Sequence, residues 1–308
     1  MTNAQHGGQA GPRLALLSVS AVWGLTFVVV ADAVAVTNPF MFNAARFVLG
    51  AALVGVVVAL RGGLRRGAGA GRSVGDGLVL GGVLFGGFIT QTIGLQSTTP
   101  GKAGFITGLS VVLVPFLSYA MFRTRLRLIE TVSAALSVCG LFLLSLNGGV
   151  HQLVAGDAWV LLCTVFFGVH IVLTDRFVRR EGVSVGVLTF VQLAVVALAS
   201  LGFATVLDGN LLGQAQALLD PRVYVGVLIC GVLATAYAYL VQTGMQRRVN
   251  PAQVALIFIM EPVFAGLFDY LFNGQGLGWL QLLGAALIVF AMGLSEIPLR
   301  RPRPVQAA

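Results

Sequence analysis

Few side chains in this 308-residue chain carry chemistry, and most of those stand inside long apolar stretches. A polar group there is costly unless it is paired or has a task. Glu261, in Met260-Glu261-Pro262-Val263, lies about ten residues into its stretch; at 1.5 Å per residue that is roughly 15 Å, halfway through a hydrocarbon core of about 30 Å. A carboxylate at that depth costs roughly 2.5–3.5 kcal/mol on insertion scales, so it must be paired, hydrated or protonated. Two tasks fit it: contact with a substrate or coupling proton, or tying down backbone donors beside Pro262. Arg46 can meet an anionic substrate, Glu261 or a freed carbonyl, or else snorkel to the headgroups. His170 can relay protons or pack as a satisfied structural histidine. Pro115 and Pro262, each inside an apolar stretch, remove a helix hydrogen bond and mark candidate gating points. Around these groups Trp23, Thr26, Gln91, Thr107, Tyr237, Tyr239 and Phe258 form the expected substrate-binding set, with Phe27, Thr92, Ser110 and Gln242 beside them. Aromatic walls with neutral hydrogen-bonding groups and few charges suit a small amphipathic or zwitterionic solute better than a polyanion.

The elements that must position these residues follow from composition. With 57% hydrophobic and only 10% charged residues, the chain is made for lipid, and its class is a polytopic membrane protein. Apolar stretches near 20 residues, long enough to cross a bilayer, fall at 14–36, 40–60, 77–97, 102–122, 128–147, 156–175, 184–207, 222–246, 251–271 and 277–297. Since backbone groups in lipid must be satisfied within their own segment, the expected fold is all-α with ten transmembrane helices.

The net charge of +8 raises nucleic acid as a partner, and the position of the cations excludes it. Sixteen of the 19 Lys and Arg lie before span one or in the gaps after spans two, four, six, eight and ten. No gap is long enough to fold into a binding module. The alternation is the positive-inside pattern, which places both termini, residues 1–12 and 298–308, in the cytoplasm and the protein in a plasma or inner membrane. Cys139, Cys163 and Cys230 lie within spans and form no metal-spaced cluster, so neither a metal nor a cofactor is expected. The first span is expected to be retained, because its apolar run is too long for a signal-peptide core.

The chain also reads twice. Five spans over 13–147 recur over 156–297, and an odd number of spans means that the second copy enters from the opposite side. Two inverted five-helix repeats result, the layout in which many secondary transporters place a site between their halves. Trp23-Gly24 corresponds to Phe167-Gly168, Arg46-Phe47 to Gln192-Leu193, Gly94-Leu95-Gln96 to Gly244-Met245-Gln246, and Ala134-Ala135-Leu136 to Ala285-Ala286-Leu287. On this reading Pro115 and Pro262 hold matching positions, and Glu261 is opposed by Val114. The pairs Gly82/Gly86 and Gly104/Gly108 are expected to seam spans three and four together. A homodimer is compatible with the sequence but not indicated by it.

These residues carry a family resemblance. Over Arg13 to Ile297 the chain resembles the EamA-type transporters of the drug/metabolite transporter superfamily: Trp23-Gly24, Arg46-Phe47, Lys102-Ala103-Gly104-Phe105 leading to Pro115, Gly156-Asp157, Glu261-Pro262-Val263-Phe264 and Gly284-Ala285-Ala286-Leu287 follow in the family's order. The resemblance implies two five-helix bundles, a central cavity lined by spans one, three, four, six, eight and nine, and export of small metabolites. One departure is visible: the acidic residue often found after the fourth helix of each repeat is replaced by Arg123-Thr124-Arg125 and Asn273-Gly274-Gln275.

The expected function is therefore a secondary transporter, an exporter of small amphipathic or zwitterionic metabolites such as amino-acid-like solutes or drugs, working by alternating access with proton coupling through Glu261. A lipid-precursor flippase is the alternative within transport. A membrane-embedded enzyme is the alternative outside it, and it would need a catalytic cluster. His6, His151 and His170 are scattered and make none.

Overall fold

The structure, a computed structural model, describes residues 7–62, 70–124, 127–145, 154–273 and 278–295. They form helices joined by short turns, with no strand among the described residues. In chain order these are α1 (Gly7–Val34), α2 (Pro39–Leu60), α3 (Ala70–Gly94), α4 (Pro100–Gly108), α5 (Ser110–Phe122), α6 (Leu128–Ser145), α7 (Ala155–Val178), α8 (Val185–Asp208), the short α9 (Leu211–Ala217), α10 (Pro221–Ile229), a π-helical segment (Cys230–Tyr237), α11 (Ala238–Met245), α12 (Pro251–Phe258), α13 (Glu261–Asn273) and α14 (Trp279–Ser295). Eight stretches are long and apolar enough to cross a membrane, with α4–α5, α10–α11 and α12–α13 each counting within one stretch. The helices α6 and α14 are equally apolar but shorter. The outer surface is apolar too: Leu60, Val206, Phe116 and Phe290 are all exposed. This is a multi-pass membrane protein.

Helix starts are written locally. At Asn38-Pro39, Thr99-Pro100, Asp220-Pro221 and Asn250-Pro251 a side-chain oxygen caps a free backbone N–H, and the following proline occupies a position where no N–H is needed. Between helices, glycines allow the backbones to meet. A Cβ on Gly140 of α6 would lie 2.7 Å from the carbonyl oxygen of Gly284 on α14, and one on Gly284 would lie 2.5 Å from that of Gly140. In lipid such close packing replaces the hydrophobic drive that soluble helices use. Helix α3 is wedged between α7 and α8, with Gly77 and Gly81 against Val191 and Val195. The expected α3–α4 glycine seam does not form: Gly82 faces open space, Gly86 meets Phe166 of α7, and Gly108 meets Leu141 of α6.

Two stretches are broken near their middles, at Leu109 between α4 and α5 and at Ile259-Met260 between α12 and α13. Prolines were the expected cause, yet the two breaks share a different one. At the first, Ile106 O accepts both the Leu109 N–H at 3.0 Å and the Thr164 hydroxyl of α7 at 3.0 Å. At the second, Ile257 O accepts both the Met260 N–H at 3.1 Å and the Ser20 hydroxyl of α1 at 2.9 Å. In each case a side chain from a facing helix has entered the i to i−4 ladder, an established cause of kinks. Counted from Pro100 and Pro251, the two carbonyls occupy the same position and the two prolines do not. Pro262 sits in the first turn of α13, whereas Pro115 lies within α5, one turn further on.

Candidate functional site

Where α1, α3, α4, α7, α11 and α12 converge on the two breaks, they line a partly open cavity. Trp23, Thr26, Phe27, Val30, Phe88, Gln91, Leu95, Thr107, Gly108, Ser110, Phe167, His170, Ile171, Tyr239, Gln242, Phe258 and Glu261 line it, and Arg46 reaches in from α2. Those helices are the spans that the family resemblance implies. Of the expected site residues, Trp23, Thr26, Gln91, Thr107, Tyr239, Phe258, Glu261, Arg46 and His170 meet here. Tyr237 does not. It points away from the cavity, 40% exposed, with its hydroxyl 2.7 Å from that of Ser18. Thr92 is also outside, buried between Asn43 and the Phe88 carbonyl. Pro115 and Pro262 do not line it either.

The walls are built from positions that match between the two halves of the chain. Shifting α1 onto α7 by 144 residues pairs Trp23 with Phe167, Thr26 with His170 and Phe27 with Ile171. Shifting α3 to α5 onto α11 to α13 by 151 pairs Phe88 with Tyr239, Gln91 with Gln242, Thr107 with Phe258 and Ser110 with Glu261. Ser110 and Glu261 are the first residues of α5 and α13, so the counterpart of Glu261 is Ser110 and not Val114. The expected match of Gly94-Leu95-Gln96 with Gly244-Met245-Gln246 stands at an offset of 150, one residue short of this register. The capped helix starts Thr99-Pro100 and Asn250-Pro251 stand 151 residues apart, which sets the offset.

Arg46 is 3% exposed and its guanidinium lies over three rings, 4.7 Å from the centroid of Phe88, 5.1 Å from Phe47 and 5.9 Å from Phe42. Its hydrogen bonds are two long ones, from Nε and Nη2 to Thr235 Oγ1, each 3.4 Å. No carboxylate among the described residues pairs with it. Glu261, 9% exposed, makes no side-chain hydrogen bond within the described residues, and Gln242 Oε1 is buried without a partner. His170 is held by Gln192, Nε2 to Oε1 at 2.8 Å, and Gln192 in turn donates to Thr243 at 3.2 Å. The rings of Trp23, Phe258, Tyr239, Phe88 and Phe167 form a continuous chain of edge and tilted contacts, with centroids 4.9 to 6.0 Å apart. Trp23 Nε1 donates to Ala234 O at 2.9 Å, within the π-helical segment that interrupts the stretch from Pro221 to Met245. Such segments often accompany functional sites, and here one supplies acceptors to both Trp23 and Arg46. The cavity thus offers one guanidinium, one carboxylate and the unpartnered amide oxygen of Gln242 among aromatic walls.

Phe88, Phe167 and Ile171 were missing from the expected set. The signal for them was present in the repeat, since each pairs with a residue already singled out.

Comparison with known proteins now gives the family. The EamA-like transporter family matches residues 12–146 and 154–296. The chain belongs to the EamA-like transporter family. An uncharacterized transporter of Archaeoglobus fulgidus is 30% identical over 293 residues, covering 94% of this chain and 88% of the relative. A WAT1-related chloroplastic protein of Arabidopsis thaliana is 24% identical over 290 residues, covering 92% of this chain and 69% of that protein. A crystal structure that shares 20% of its sequence with this EamA-like chain superposes with a TM-score of 0.73, covering 94% of this chain and 97% of the other, which establishes the fold. The family identity makes the protein a membrane transporter with its helices in a lipid bilayer.

Proposed function

We propose that this EamA-like protein is a secondary transporter that exports small amphipathic or zwitterionic metabolites by alternating access. The observation that carries the reading is the cavity itself, in which Arg46 and Glu261 face the same space without contacting each other. A solute with an anionic and a cationic end would satisfy both, while its apolar part lies against Trp23, Phe88, Tyr239 and Phe258. A polyanion would meet one guanidinium and be opposed by Glu261.

The alternating-access part rests on the two halves, 13–147 and 156–297, being inverted five-helix repeats, with α6 and α14 completing ten spans. Support comes from the two separate family matches, the paired cavity positions and the two hydroxyl-to-carbonyl bonds at equivalent breaks. Contacts follow the same exchange: α2 lies on α8 and α6 on α14, while α1 crosses α13 at Gly24 and α7 crosses α5 at Gly168. Two similar bundles around one midplane site can rock between access to one side and to the other. Proton coupling is assigned to Glu261, with His170 as a secondary candidate. We place both termini in the cytoplasm and the protein in the plasma or inner membrane, on the arginine-rich gaps. Export is assigned from the family's commonest role.

The test is metabolite profiling of medium and cytosol from cells that overexpress or lack the protein. The expected result is a zwitterionic solute enriched in the medium on overexpression and retained in the cytosol on deletion. Enrichment of a polyanion, or of a solute in the opposite compartment, would reject the proposed cargo or direction.

A further inference from the structure

The matched halves allow the two ends of the molecule to be compared position by position, and they are not closed alike. At the end that carries Arg179 and Arg247, the C-terminal turns of α7 and α11 are laced together. Arg179 Nη2 donates to Gln246 O at 3.1 Å and to Val249 O at 3.4 Å. Arg247 Nε donates to Val178 O at 2.7 Å and its Nη2 to Val183 O at 2.5 Å. Gln246 Nε2 donates to Ile171 O at 3.1 Å. The acceptors are mostly carbonyls at or beyond helix C-termini, which lack intrahelical partners and carry the negative end of the helix dipole.

At the other end the same offsets of 144 and 151 bring Ala35 to the place of Arg179, Leu95 to that of Gln246 and Gln96 to that of Arg247. Two of the three donors are gone, and the third, Gln96, is exposed. Here no side chain of that kind laces α1 to α3, and a shallow vestibule is lined by the α1–α2 turn from Val34 to Phe40, by Ile93 and Gln96 of α3 and by Asn210 to Ala217 around α9. The central cavity leans the same way. Val30 and Leu95 line it, while their counterparts Thr174 and Gln246 are wholly buried outside it. The vestibule end does have a clamp of its own, the Lys102–Asp157 ion pair at 2.7 Å. That clamp joins the starts of α4 and α7 and does not join α1 to α3.

We infer that Arg179 and Arg247 form a bolt that shuts one end of the carrier, and that the opposite end, packed by apolar side chains such as Val34 and Leu95, has no such bolt between its α1 and α3. The unloaded protein therefore rests with the Arg179–Arg247 end shut. A bond present in only one of two states shifts their populations by its full differential strength, and bonds with a charged donor are the stronger kind. The inference rests on the alternating-access reading above, and its test separates the two.

In a cysteine-free background held in nanodiscs, V30C and T174C report on matched positions at the two ends. Their labelling rates with a cationic, water-soluble methanethiosulfonate are followed by mass spectrometry. V30C is expected to label and T174C to stay protected. R179A/R247A is expected to raise the T174C rate about tenfold and to slow V30C, as loss of charged hydrogen bonds from one state requires. R123A, which removes a cation from the same end where Arg123 only overlies Tyr119, leaves both rates unchanged. If the double variant does not fold, the single variants R179Q and R247Q carry the test with smaller shifts in the same direction. Unchanged rates in folded variants overturn the bolt and leave alternating access standing. Rapid labelling of both V30C and T174C in the parent background overturns both, because it describes a continuous pore, and protection of both overturns the bolt as the cause of a one-sided rest.

Discussion

A buried carboxylate and a buried guanidinium that share a cavity without pairing are each left with part of their desolvation cost unmet. That arrangement is retained where a third charged group completes it, so the two residues should have separable phenotypes. Glu261→Gln removes the only carboxylate among the described residues that line the cavity and keeps its shape. In proteoliposomes at parent abundance it should abolish transport driven by a pH gradient while solute exchange without a gradient continues; normal pH-driven transport in this variant rules out the coupling role. Arg46→Gln should weaken cargo binding roughly tenfold or more, the scale of losing one hydrogen bond to a charged group. Arg46→Lys should not restore it, since a planar guanidinium stacks on the Phe42, Phe47 and Phe88 rings where an ammonium cannot. Full recovery by lysine would show that Arg46 acts as a point charge.

The helices themselves were largely legible, because apolar length, capping residues and Pro at first positions are local properties. What stops them midway was not. Neither break can be read from its own segment, since the cause is a hydroxyl, Ser20 or Thr164, arriving from a helix distant in sequence. The π-helical segment Cys230–Tyr237 was equally hidden; Gly50 and Gly231 let α2 approach it, and that contact is tertiary. The hooks should matter for motion more than for assembly. Ser20→Ala with Thr164→Val is expected to cost about 1 kcal/mol of stability per bond and to slow turnover, as measured by thermal unfolding alongside transport rate. Unchanged turnover in the double variant would leave the hooks a packing role alone. At the α6–α14 crossing the demand is steric. Gly284→Leu would force its side chain onto the backbone at Gly140 and Leu144, an overpacking cost of about 1–3 kcal/mol or more. Gly82→Leu, in open space, should cost nothing measurable in the same thermal unfolding assay.

At the scale of the whole molecule, the sequence reads as two copies and the family matches twice, over 12–146 and 154–296, whereas the register between the copies is not legible in the sequence. A shared Gly-x-Gln drew the third spans together at an offset of 150, and the helix caps Thr99-Pro100 and Asn250-Pro251 set it at 151. One residue changes which side chains face each other across the cavity, so Glu261 gained Ser110 as its counterpart only once the helix starts were located. The orientation in the bilayer depends on none of this, because it follows from charge. Arg123, Arg176, Arg179, Arg180, Arg247 and Arg248 gather at one end, where Arg180 pairs with Asp76. The gap between α8 and α10, at the other end, holds Asp208 and Asp220 with Arg222 just beyond, so its charges nearly cancel. Retaining cations on the cytoplasmic side is the dominant rule for short gaps. In intact cells, an impermeant maleimide should therefore label Leu219→Cys, at a position that is 76% exposed between α9 and α10. Glu181→Cys, exposed between α7 and α8, should label only after the membrane is opened. The reverse pattern would invert the molecule and with it the assigned direction of transport. Labelling of both from outside would mean that the two gaps share a face, which an odd number of spans between Glu181 and Leu219 does not allow.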